Sequence, residues 1–82
     1  MQLEIQFFAG AAEIVGARSI ELTVPDGSCL REAIAKIVAA YPNLDALAAR
    51  SRWAVANQFV DGNFEFFGRS AKLAMIPPVS GG

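Results

Sequence analysis

The chain has 82 residues, 54% hydrophobic and 18% charged, and seven Lys and Arg against eight Asp and Glu leave a net charge of -1. That length holds one domain, because chains divide into separate cores only well above it, and the apolar, charge-poor composition excludes the disordered class. With no basic excess to neutralise phosphates or to lie on anionic lipid, nucleic-acid and membrane-surface roles are disfavoured.

For a mass of 8.7 kDa, surface scaling gives roughly 4,700 Å² folded against roughly 12,600 Å² unfolded, so about 60% of the surface is expected to be buried and stability to be modest. The chain has no histidine. Ser-His, Cys-His and His-ligated metal schemes are therefore all removed. Its single cysteine, Cys29, cannot form an internal disulfide, and a cytoplasmic location is expected. The start, Met1-Gln2-Leu3-Glu4, has no basic run of the secretory kind, and charges interrupt every apolar stretch before the ~18 residues of a spanning helix.

Along the chain, Leu3, Ile5 and Phe7 alternate with Glu4 and Gln6, the period of a half-buried strand, which leaves Phe8 on the polar side. An Ala-rich connector over 10–17 has room for a helical turn. A second alternation follows over 19–24, with Ile20, Leu22 and Val24 on one side, and Pro25-Asp26-Gly27 ends it. Ser28 is the expected N-cap of an amphipathic helix carrying Leu30, Ala33, Ile34, Ile37, Val38 and Tyr41 on one face; Pro42 stops it. The Leu- and Ala-rich stretch over 44–50 suggests a further helical turn. Trp53 to Val60 reads as one strand, Asp61-Gly62-Asn63 as a reversal into a short strand over 64–66, and Lys72 to Ile76 as a last strand with Ala74 and Ile76 opposite Leu73 and Met75. One helix segregated onto one face of a mixed sheet of four to five strands is an α+β arrangement of β-grasp form. The domain is expected to span residues 1–76, followed by an extended tail over 77–82.

Convergent titratable groups are scarce. Glu4, Glu21 and Glu65 are spread over separate strands and read as solvated charges. Cys29 falls at a helix start, where a thiol could be activated, but without a histidine the core reading is preferred. Gly10 and Gly16 lack the spacing and the Lys-Ser or Lys-Thr of a phosphate loop. Aromatic residues are dense from Trp53 to Phe67, and adjacent strand residues face opposite ways, so one of Phe66 and Phe67, and one of Phe7 and Phe8, is expected outside. The resulting apolar patch reads as a partner site. The ending carries the sharpest signal: Pro77-Pro78 enforces an extended spacer, Val79-Ser80 continues it, and Gly81-Gly82 presents a carboxylate with no Cβ to collide with a narrow channel.

Leu73 to Ile76 followed by Pro77-Pro78-Val79-Ser80-Gly81-Gly82 closely resembles the ending of the MoaD family, the ubiquitin-like sulfur carriers that form the small subunit of molybdopterin synthase. The stretches Gln6-Phe7-Phe8-Ala9, Glu13-Ile14-Val15-Gly16 and Val55-Ala56-Asn57-Gln58 resemble it in the same order. The resemblance implies that Gly82, preceded by Gly81, is adenylated by an E1-like partner, MoeB, with ATP. Sulfur from a donor enzyme then gives a terminal thiocarboxylate. The tail enters the large subunit, MoaE, where the sulfur attacks cyclic pyranopterin monophosphate, in a heterotetramer of two small and two large subunits. No cofactor is bound by the carrier itself. The family's contact positions imply that Phe8, Val60 and Ile76 form the apolar partner surface, with Pro77, Pro78, Val79 and Ser80 following into the partner.

One stretch departs from the family pattern. Members commonly carry an acidic turn before the last strand, whereas Gly68-Arg69-Ser70-Ala71-Lys72 is basic here, which implies a partner surface adapted to it or a divergent paralogue. The competing readings are a sulfur carrier for another pathway such as thiamine or thiolated tRNA, a ubiquitin-like protein modifier, and an interaction module that does not use its terminus.

Overall fold

The computed structural model describes residues 1–78. In chain order the elements are β1 (Gln2–Gln6), α1 (Ala9–Val15), β2 (Ser19–Thr23), α2 (Leu30–Ala40), a 3-10 turn (Pro42–Leu44), α3 (Asp45–Arg50), β3 (Arg52–Val55), β4 (Gln58–Val60) and β5 (Ser70–Ile76). The five strands form one sheet in the order β2-β1-β5-β3-β4. β1 pairs antiparallel with β2 and parallel with β5, while β3 is antiparallel to both β4 and β5. Two central strands that are parallel cannot be joined by a hairpin, so the chain between them crosses over one face of the sheet and covers it with helix. This is the expected α+β, β-grasp architecture.

Alternation along the strands decides what is buried. Leu3 and Ile5 of β1 and Leu73 and Met75 of β5 are fully buried, and Trp53 of β3 joins them. Leu30, Ala33 and Ile37 of α2 close over them from above, with Leu44 and Ala48 at the end of that helical layer. The spacing of three and four on α2 is the stripe that the sequence displays. Tyr41 caps α2 in a non-helical conformation, as Pro42 requires. α1 ends at Gly16, whose φ of 80° no residue with a Cβ adopts comfortably.

Four local expectations are corrected. Cys29, not Ser28, is the N-cap of α2, because the Ser28 hydroxyl donates back to the Pro25 carbonyl at 2.6 Å and closes the preceding turn instead. Cys29 is half-buried and outside the core cluster, so the core reading fails for it. The run from Trp53 to Val60 is two strands: Ala56 and Asn57 adopt φ of 51° and 64°, the doubly left-handed geometry of a two-residue type I′ hairpin. Residues 64–66 make no strand beyond one isolated bridge between Glu65 and Cys29. That segment lies across the start of α2, where the Phe64 and Gly62 carbonyls accept the Leu30 and Arg31 N–H groups at 2.7 and 3.0 Å. Two first-turn donors of the helix are thereby satisfied by backbone, and the Cys29 side chain accepts the Glu32 N–H. Among the described residues no helix is long and apolar enough to cross a membrane.

Candidate functional site

The face of the sheet away from α2 is uncovered, and the strand registers define what stands on it. Opposite Gln6 lies Ala74, which faces Ala54, which in turn faces Phe59. One step nearer the tail, Ile76 faces Arg52, and Phe8 lies two residues beyond Gln6 on the same side of β1. Phe8, Ala54, Phe59, Ala74 and Ile76 together line a shallow depression of about 430 Å³. Two alanines at its centre keep the floor low, and Phe8 and Phe59, about half exposed at 49% and 53%, form its walls. Aromatic side chains held at that exposure over small residues are an apolar surface that lacks a cover.

The polar rim is asymmetric. Toward the far end of β5, Lys72 faces Glu4 at 3.8 Å, and Glu4 in turn stands directly across from Glu21 on β2. The lysine thus offsets one of two adjacent carboxylates, and at such exposure the pair adds little stability. At the tail end, the Arg52 guanidinium lies 3.6 Å from the centre of the Phe59 ring. The basic stretch from Arg69 to Lys72 therefore begins at the end of β5 opposite to the tail, and its only member lining the depression, Lys72, is already matched by an acid.

Phe8 and Ile76 stand together as expected. Val60 does not join them. It lies opposite Trp53 and packs against the core on the helix side. The two-residue turn at Ala56-Asn57 is the cause: it brings Val60 back beside Trp53 on the same face, whereas Phe59 pairs with Ala54 on the open face. Phe59 and Arg52 are the site residues that sequence reading missed, and Asn57, a residue tolerant of positive φ, was the available signal for the hairpin. Pro77 follows Ile76 half-buried and Pro78 is exposed. Val79, Ser80, Gly81 and Gly82 lie outside the described residues.

Among the described residues no group of three or more His, Cys, Asp and Glu side chains is placed to hold a metal ion. Cys29 stands at the helix start on the other side of the sheet, with its N–H donating to the Glu32 carboxylate at 3.0 Å. Glu4, Glu21 and Glu65 form no acid–base constellation, since Glu65 belongs to the segment crossing α2. The described surface presents an uncovered apolar face, at whose edge the last strand hands the chain into its proline pair.

An uncovered sheet face beside an outgoing C-terminal strand places the molecule in the ubiquitin-like β-grasp class. The chain belongs to the ThiS family, whose model matches residues 5–82. It is 30% identical to the molybdopterin synthase sulfur carrier subunit of Chlamydomonas reinhardtii, with 100% of both chains covered. Among solved structures, it superposes on SAMP1 of Haloferax volcanii with a TM-score of 0.88 at 23% identity over 100% of both chains. A chain of the complex of subunits 1 and 2 of the molybdopterin-converting factor of Helicobacter pylori matches with a TM-score of 0.71 at 20% identity, again over 100% of both. At those identities the two structural likenesses establish the fold alone.

Proposed function

We propose that this chain is the sulfur carrier subunit of a molybdopterin synthase, working in the cytoplasm. The observation that carries the reading is the junction at Ile76, where the open apolar face and the start of the Pro77-Pro78 spacer coincide. A relative spanning 100% of both chains is named as that subunit, which supports it. The H. pylori complex of subunits 1 and 2 supports a large-subunit partner for this chain.

In this reading the grip and the chemistry are separate. A carboxylate is a poor electrophile, so the Gly82 carboxylate is first joined to AMP from ATP within the E1-like activating enzyme, MoeB, with release of pyrophosphate. Sulfide-level sulfur, released from the donor enzyme's persulfide by a reducing thiol, attacks the acyl-adenylate carbonyl; the C–O bond to AMP breaks, AMP leaves, and a terminal thiocarboxylate remains. Phe8, Phe59 and Ile76 then dock on the large subunit, MoaE, and the tail from Pro77 to Gly82 carries the sulfur to cyclic pyranopterin monophosphate. Docking holds the nucleophile at high effective concentration, which a freely diffusing sulfide lacks. Each large subunit receives two thiocarboxylated carriers in succession, one for each sulfur of the dithiolene, within a heterotetramer of two small and two large subunits.

Intact-protein mass spectrometry after coexpression with the E1-like enzyme and its sulfur source tests this reading. One oxygen of the terminal carboxyl is expected to be exchanged for sulfur. A terminus that stays a carboxylate beside an enzyme active on its own carrier overturns the proposal.

A further inference from the structure

We propose that Arg52 is a carboxylate-reading element of the docking face, receiving an acidic side chain of the large subunit beside the point where the tail enters it. The inference rests on the sulfur-carrier reading and adds the chemistry of the partner at one position.

Three observations carry it. First, Arg52 lies directly across from Ile76, the last residue of β5, so any partner that takes in the tail must approach it. Second, its guanidinium lies over the Phe59 ring at 3.6 Å. Stacking fixes the plane of the fork and leaves its N–H edges free to point sideways, which lowers the side-chain entropy lost when a planar anion is bound. Third, among the described residues no carboxylate lies within ion-pair distance of it, while Lys72 has Glu4. Asp61, which lines the same shallow hollow as Arg52 beside β4, uses its Oδ1 to accept the Asn63 N–H at 2.9 Å and so closes its own turn.

Covering the Phe8–Phe59–Ile76 surface removes water from Arg52. A cation dehydrated without a partner is costly, so the covering surface must bring an anion. In a protein partner that anion is a carboxylate, and the guanidinium fork takes it with two parallel hydrogen bonds. The apolar patch then supplies contact area and Arg52 supplies register, which suits a carrier that must seat its tail in one orientation.

The test is titration of the full-length chain against the large subunit at two or more salt concentrations. R52Q is expected to weaken binding about tenfold and to make it less salt-dependent. R52K restores only a minor part, because an ammonium lacks the planar fork. F59L keeps apolar area but removes the ring beneath the guanidinium, and weakens binding about threefold. Arg52 is exposed, so melting temperatures of R52Q and R52K should match the parent. A parent chain that binds, is lost on F8D, and is unchanged within about twofold in R52Q overturns the role of Arg52 alone. A parent chain that does not bind the large subunit at all overturns the carrier reading and this inference together.

Discussion

At the residue scale, among the described residues Glu32 is the ionisable group held away from its ordinary range. Its carboxylate accepts the Cys29 N–H at 3.0 Å, and that backbone bond is the main cause that holds its pKa below the usual 4.5, with the Cys29 side chain and then Lys36 assisting against a small desolvation effect. A carboxylate whose folded pKa is depressed adds stability above its unfolded pKa and loses it as pH falls through the folded value. E32Q retains an acceptor but not the charge. Thermal melts should therefore show E32Q below the parent at neutral pH, with the two curves converging below about pH 4.5. A constant offset at all pH values would mean that packing, not ionisation, is responsible. At the same position Cys29 serves as the cap of α2. The Leu30 and Arg31 donors beside it are already taken by the Phe64 and Gly62 carbonyls, and the cysteine itself is a cap.

At the element scale, what was legible followed from periodicity and what was lost followed from turns. Period two over 2–7 and the three-four spacing from Leu30 to Tyr41 identify β1 and α2, because a single buried face imposes each pattern. The outward placement of Phe8 and Ile76 follows from the same alternation. The β3–β4 hairpin did not, since Ala56-Asn57 is a poor match to the Asn-Gly pairs that mark a type I′ turn, and with it went Phe59 and Arg52. The mismatch has an energetic consequence. Ala56 has a Cβ and sits at φ 51°, a conformation that is unfavourable for it by roughly 1 kcal/mol. Replacing the pair by Asn-Gly, as A56N with N57G, should stabilise the fold by about 1 kcal/mol and raise the melting temperature by roughly 4–8 °C. A lower melting temperature would show that this backbone is held by contacts the substitution breaks.

At the scale of the whole molecule, core and terminus are divided along the chain. Every buried apolar residue lies between Leu3 and Met75 among the described residues, and the open apolar depression is lined only by positions up to Ile76. The mixed sheet leaves one face open because the chain has a single helical layer to cover two faces, and the final strand is central, paired on both sides by β1 and β3. A central strand is a firm anchor for whatever follows it, since pulling on the tail loads two ladders of backbone hydrogen bonds at once. Removing Gly81 and Gly82 therefore takes away no described core contact. The melting temperature of the truncated chain should stay within about 1 °C of the parent. Under the proposed function, binding to the large subunit should persist, while molybdopterin formation in the reconstituted synthase falls to background. Retained product formation would mean that the sulfur is not carried at Gly82, and a fall of several degrees in melting temperature would mean that the terminal residues belong to the folded core.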